Sequence, residues 1–445
     1  MNQSVPFGTT TLAVMLLAAT SVTATAQPPL PTLELVASYD TLFGANGAEI
    51  ISVRHTDGIA ALTNIAGNVD VLDLSDPTNP SRLLRVTVDT TAGTPNSVAV
   101  HPQHDYFLVV TGRSGATGRV AAYRLSSGEF LGSAATGIQP DSVAISPNGQ
   151  YAVIANEAEA TAEGNSGGNG SLTVVDLTGF NGAGPASLQV TQVPFTAVTG
   201  VIGISTGRTD DFGRLSVDNT PATLEPESVA FSGNSRFAFV TLQENNAVLR
   251  LDLKTLTMDI VGLGTVSHLA DTSTAGGYNP INPLTTFREP DGIAVDKTGR
   301  FFVTADEGDT RDSAGNGAVR GGRTVSVFDA SSGAFIADTG KQLDDAAAAA
   351  VPSLYPDSRS NRGGSEPEVL DLTDHRGRTL VAVGLERANA VALIDVSDPT
   401  EPMVFAIAPT GVGPEGVKFL KRGNRLFLLA ANEVSGTVSV LEVVD

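Results

Sequence analysis

Pro140-Asp141-Ser142-Val143-Ala144-Ile145 recurs as Pro226-Glu227-Ser228-Val229-Ala230-Phe231 and again as Pro290-Asp291-Gly292-Ile293-Ala294-Val295. Each copy opens on a proline and an acid and continues as a short apolar alternation, which is how a strand begins. Further copies start at Pro95-Asn96-Ser97-Val98, Pro367-Glu368-Val369-Leu370 and Pro414-Glu415-Gly416-Val417, and Ala48-Glu49-Ile50-Ile51 is a degenerate first copy, which makes seven. After the opening strand comes a turn such as Ser146-Pro147-Asn148-Gly149 or Asp296-Lys297-Thr298-Gly299, whose Pro, Asn and Gly favour reversal. A second, wholly apolar strand follows, as in Tyr151-Ala152-Val153-Ile154, then a third that ends on Asp, as in Val174-Val175-Asp176 and Leu393-Ile394-Asp395. A fourth, less regular strand completes the unit. Radial repetition of four-stranded units is the propeller solution to exposed sheet edges, so the expected fold is all-β, a seven-bladed β-propeller. The seventh unit stops after its third strand, Thr437 to Val443, while an orphan strand, Leu33 to Tyr39, precedes the first. The N-terminal strand is therefore expected to close the last blade.

Composition agrees with one large unit of short strands. Apolar residues make up 41% of the 445, with 47 Gly and 24 Pro, a balance that favours strands and tight turns over long helices. A net charge of −21 repels phosphate backbones and anionic lipid surfaces, which excludes nucleic acid as a partner class. The chain has no cysteine, which excludes disulfides, thiolate metal sites and a cysteine nucleophile. The apolar stretch Leu12 to Ala19 followed by Thr23-Ala24-Thr25-Ala26 reads as a secretory leader over residues 1–26, although the preceding segment lacks Lys and Arg. Residues 27–445 are then a single periplasmic or secreted domain, expected to be monomeric. No later segment has the apolar length of a membrane helix. Extra sequence at 196–224, 266–288 and 338–365, the last carrying the run Ala346 to Ala350, is expected to form loops or short helices.

The acids are the candidate site. The residue after each proline and an acid 16 to 18 positions on, at the end of the second strand, fall at the same rim of a blade: Asp141 with Glu157, Glu227 with Glu244, Asp291 with Glu307, Glu368 with Glu386, and Glu415 with Glu433. Because opening strands line the axis of a propeller, these ten acids are expected to converge on one channel mouth, with an acid-poor sector at the first two units, where Glu49, Asn96 and Arg113 stand. Clustered carboxylates repel unless protons or cations intervene, so a hard ion, Ca2+ above all, is the expected cofactor. The competing reading is structural, with each acid accepting backbone N–H bonds from its neighbour. Arg288, Arg311, Arg359 and Arg387 lie beside the same loops and either pair with the acids or bind an anionic ligand. The five histidines are scattered, and His101 with His104 reads as surface imidazole at the opposite rim. Gly164-Asn165-Ser166-Gly167-Gly168 matches a nucleophile elbow on paper but lies in a glycine-rich loop.

Gly47-Ala48-Glu49-Ile50, Leu242-Gln243-Glu244-Asn245-Asn246, Asp306-Glu307-Gly308-Asp309-Thr310-Arg311, Asp357-Ser358-Arg359-Ser360, Glu366-Pro367-Glu368 and Ala431-Asn432-Glu433-Val434-Ser435-Gly436 resemble, in order, the choice-of-anchor I family. The resemblance spans residues 33 to 445. It implies an extracytoplasmic, propeller-like bacterial domain found with varied surface anchors and sometimes labelled alkaline phosphatase-like. No catalytic residue is carried over by it. This chain ends on its last strand without a sorting tail, so release is expected rather than attachment. Two functions follow from these readings: a binding module presenting an acidic, cation-binding mouth to a small anion, glycan or surface protein, or a metal-dependent hydrolase of phosphate esters or lactones.

Overall fold

In the computed structural model, seven four-stranded antiparallel sheets are arranged as a seven-bladed β-propeller. The structure describes residues 30–158, 168–184, 187–195, 224–308 and 321–445, with backbone alone at 160–161 and 164–165. The innermost strands, in blade order 1 to 7, are Ile51–Arg54, Thr94–Val100, Pro140–Ile145, Pro226–Phe231, Pro290–Val295, Pro367–His375 and Pro414–Arg422. The leader region, the 196–223 insertion and Arg311 lie outside the described residues, and among the described ones no helix is long and apolar enough to cross a membrane.

Ring closure occurs where the chain ends demand it. The N-terminal strand β1 (Thr32–Asp40) pairs antiparallel with Thr437–Val444, from Thr32 opposite Val444 to Asp40 opposite Thr437, and becomes the outer strand of blade 7. Tyr39 then donates its hydroxyl to buried Asp70 of blade 1 at 2.9 Å, so the closing strand also ties the seventh blade to the first.

The core explains why the second strands are apolar at every position. Seven clusters of buried side chains are present, one between each successive pair of blades, including blades 7 and 1. Alternate residues of a strand point to opposite faces. Phe107 and Val109 therefore pack against blade 1, and Leu108 and Val110 against blade 3. A strand sandwiched between two sheets has no polar face to show.

The repeated Asp at the end of the third strand has a structural task. Oδ1 of Asp73, Asp176, Asp252, Asp329 and Asp395 accepts the N–H two residues on, closing a turn toward the outer strand. At Asp329 the Ser331 and Ser332 hydroxyls also donate to Oδ1 and, with the N–H groups, hold the carboxyl down at about 2. On the opposite reversal, Gly149 and Gly299 take φ of 72° and 71°, the left-handed geometry that spares a glycine the clash of a Cβ.

Two insertions resolve into regular structure. The 266–288 segment is not a loop or helix but a two-stranded ribbon, Thr265–Ala270 paired with Asn282–Phe287, whose alternation of Thr, Ser and apolar residues suits a half-exposed strand. The alanine run of the 338–365 segment lies in helix α1 (Gln342–Ala349), with a single 3-10 turn at Asp357–Arg359 beyond it. Arg323, buried at the start of blade 5's third strand, pins both insertions. Its guanidinium donates to the Asp271, Ser360 and Arg362 carbonyls and pairs with Asp344 of α1.

Candidate functional site: a carboxylate rim

The same local device places an acid at the mouth of five blades, 3 to 7, and in blade 2 an asparagine. Proline has no N–H to give the ladder, and directly after it the register shifts: Pro95/Ser97, Pro140/Ser142, Pro226/Val229, Pro290/Ile293, Pro367/Leu370 and Pro414/Gly416. Such a bulge re-aims the side chain it carries. The residue before the proline completes the arrangement. Gln139, Glu289, Glu366 and Gly413 hold φ of 50°, 45°, 53° and 71°, and three of these four are not glycine, so the backbone is strained there. That turn points the carbonyls of Gln139, Glu366 and Gly413 at the N–H groups of Glu157, Glu386 and Glu433, which anchors each second-strand acid beside its partner.

The acids act on one another around a single mouth. Asp141 repels the charged forms of Glu49, Glu227 and Asp291, while Glu433 does the same to Glu49 and Glu415. Glu157 and Glu244 act on Glu227, and Glu386 acts on Asp291. Burial is the larger cause throughout, and the carboxyls rise with it: Asp291 to about 7, Glu49 and Glu415 to about 8, and Glu227, Glu307 and Glu368 well above the usual carboxylate range. Several second-strand acids are held by amides: Gln139 donates to Glu157, Gln243 to Glu307 across the blade 4–5 boundary, and Asn46 to Glu433, at 2.7, 2.6 and 2.9 Å. Below the rim a cavity of about 690 Å³ follows the inner strands of all seven blades, from Glu49, Asp141, Asp291 and Glu415 at one end to Arg54, His55 and Lys418 toward the other.

The tightest convergence is in blades 5 to 7. Carboxylate oxygens of Glu307, Glu366 and Glu368 lie within 4.8 Å of one another, and so do those of Glu368, Glu386 and Glu415. Burial first, then the charges of Glu415, Glu307 and Glu386, raises the Glu368 carboxyl, and burial followed by Glu386 raises that of Glu415. Glu368 is 7% exposed and Glu386 4%, yet Oε2 of each has no partner. A buried carboxylate oxygen without a donor costs free energy that a bound cation would recover.

The arginines divide. Arg288 is 2% exposed and turned into blade 5, where Nε meets the Leu263 carbonyl, Nη1 meets Asp306 and Ser326, and Nη2 meets Asp338 and the Thr265 carbonyl. Of the two readings, pairing with acids is the one its geometry fits, since all its donors are spent on Asp306, Asp338, Ser326 and two carbonyls. Arg359 and Arg387 do reach the mouth. Both grip Glu366, at 2.5 and 3.0 Å, and Arg387 also pairs with Glu386 while its side chain remains 44% exposed. In the acid-poor sector, Asn96 gives its amide to the Pro140 carbonyl at 2.8 Å and Arg113 is exposed. The expectation of a surface imidazole holds for His104 but not for His101. The latter is buried, accepts the Gln103 and His104 N–H groups at Nδ1, and meets the Gly149 carbonyl of blade 3 at Nε2. Of the glycine-rich motif, Gly164–Asn165 pairs back on Ala160–Thr161, and Ser166 lies outside the described residues.

Glu366 is the residue that sequence reasoning passed over. It is 0% exposed and belongs to one of the two acid groups. Its signal was present: Glu225-Pro226-Glu227, Glu289-Pro290-Asp291 and Glu366-Pro367-Glu368 share an acid on each side of the proline.

Fold and site together define the class, a seven-bladed propeller that gathers carboxylates on one rim of its channel. The family model of the choice-of-anchor I domain matches residues 49–320 and 315–399, and the chain belongs to that family. No curated protein matches it. Among solved structures, Kuenenia stuttgartiensis hydrazine synthase is similar with a TM-score of 0.58 and 17% identity, covering 90% of this chain and 97% of that one, a likeness of fold.

Proposed function

We propose that this propeller is an extracytoplasmic binding module whose acidic mouth holds a hard divalent cation, Ca2+ in particular. The observation that carries the reading is the pair of buried, unpartnered Oε2 atoms of Glu368 and Glu386 inside a group of converging carboxylates. Ligand chemistry favours calcium, which accepts several carboxylate oxygens in flexible geometry. Its oxygen ligands stand about 2.3–2.6 Å from the ion, so a calcium shell is about 5 Å across and a magnesium shell about 4 Å. Oxygens within 4.8 Å of one another fit inside such a shell. Membership of a family whose domains are typically extracytoplasmic supports placement where modest calcium affinity suffices.

Arg387 favours a second reading. Its guanidinium is half-exposed beside Glu366 and Glu386, where it could clamp an anion next to the ion, as a hydrolase of phosphate esters or lactones would need. One experiment weighs both. The purified protein is assayed for bound metal, melted with and without chelator, and screened for turnover of phosphoesters and lactones. Bound calcium with a chelator-sensitive melt and no turnover supports the binding module. Turnover lost on chelation supports the hydrolase. Absence of metal, of a chelator effect and of turnover overturns both.

A further inference from the structure

We infer that the mouth at blades 5 to 7 is a two-cation centre in which the Glu368 carboxylate bridges the ions; this rests on the cation reading above and goes beyond it in number and arrangement. Two groups of three carboxylates each converge within 4.8 Å, close enough for one ion apiece, and Glu368 is the residue common to both. Glu307 and Glu366 belong to one group and Glu386 and Glu415 to the other, so one shell does not take in all five. A carboxylate has two oxygens with about four lone-pair sites between them, which allows one residue to serve two ions.

The placement of Glu368 fits that task. It sits on the bulge after Pro367, is 93% buried by its 7% exposure, and keeps Oε2 without a partner inside both groups. Most buried polar atoms find a partner inside the protein, so an orphaned carboxylate oxygen within converging acids calls for an explanation. Charge points the same way. With all five carboxyls ionised around bound cations, the guanidiniums of Arg359 and Arg387 leave a formal excess of three negative charges, which one divalent ion does not cancel. Asp291, which raises the Glu307 carboxyl, and Glu433, which raises that of Glu415, add to the excess from either side.

Three protein carboxylates per ion fall short of the six to eight oxygens calcium takes. The remaining positions are left for water or for oxygens of an anionic ligand shared between the ions, as two-metal centres use them. The ligand class that fits is therefore a small oxyanion or carboxylate bound across both ions, with Arg387 alongside.

The test is calcium titration of the metal-stripped full chain by calorimetry, with Mn2+ substitution read by electron paramagnetic resonance. Two ions per chain and an exchange-coupled manganese signal are expected. Glu307→Gln and Glu415→Gln should each keep one ion, and Glu368→Gln should weaken both sites at least tenfold. One ion per chain in the unsubstituted protein, with uncoupled manganese, overturns the bridge and leaves the cation reading standing. Loss of the same single ion in Glu307→Gln and Glu415→Gln does likewise. No binding at millimolar calcium removes both. The stoichiometry and the manganese signal need no variant, so a substitution that fails to fold does not blunt the test.

Discussion

Glu49 offers a direct measurement of what the crowded mouth costs the fold. It is the single rim acid of blade 1, and burial, then Glu433 and Asp141, push its carboxyl from 4.5 to about 8. A raised carboxyl is neutral in the folded chain over a range where the unfolded chain has already lost the proton. The folded state then binds more protons than the unfolded one, so stability present below pH 4.5 is lost as pH rises through about 8. At about 1.4 kcal/mol per pH unit the full shift corresponds to about 5 kcal/mol; water in the channel screens part of it, and about 3 kcal/mol is expected. Glu49→Gln keeps the neutral shape and removes the ionisation. Urea denaturation of both proteins in chelator, from pH 4 to 9, should show the variant gaining on the parent by about 3 kcal/mol across that range. Asp291 and Glu415 bend the curve in the same sense, which is why the difference between the two proteins, rather than either slope, is the readout. A constant difference across pH, or one of opposite sign, refutes the reasoning.

Three further outcomes follow from single contacts. His101 is pushed down to about 4 by burial, so it adds stability that is lost as pH falls from 6.5 toward 4; His101→Gln should abolish that limb of the pH profile, measured by thermal melts. Arg288→Met leaves Asp306 buried without its cation and should cost about 3–5 kcal/mol in urea, while Arg288→Met with Asp306→Leu should recover much of the loss; no recovery in the double variant would deny the coupling. Removing residues 32–40 exposes Thr437–Val444 as an open edge and should both lower the melting temperature and produce oligomers on size exclusion; a monomer with an unchanged melt would show that the closing strand is dispensable.

The repeat was legible because it is written in local chemistry. Proline followed by an acid, the Pro-Asn-Gly reversal, the all-apolar second strand and the terminal Asp each satisfy a need inside one blade, so a copy such as 140–177 can be read without knowing its neighbours. Closure was legible too, since an orphan strand at 33–39 and a missing fourth strand at the other end leave one pairing. The rim position of the paired acids also follows from strand length alone. What local pattern does not carry is which partner each charged side chain meets once seven blades are brought round an axis. Arg288 and Arg387 look alike beside their loops, yet one is swallowed by Asp306, Asp338 and two carbonyls and the other stays half-exposed between Glu366 and Glu386. His101 reads as surface because its own hairpin is exposed, and it is buried by Gly149 of the next blade. The meeting of Glu307, Glu366, Glu368, Glu386 and Glu415 likewise joins three blades and two bulges. Side-chain chemistry and strand period are properties of the sequence, whereas burial and electrostatic pairing depend on distances across the ring, and those exist only once it has closed.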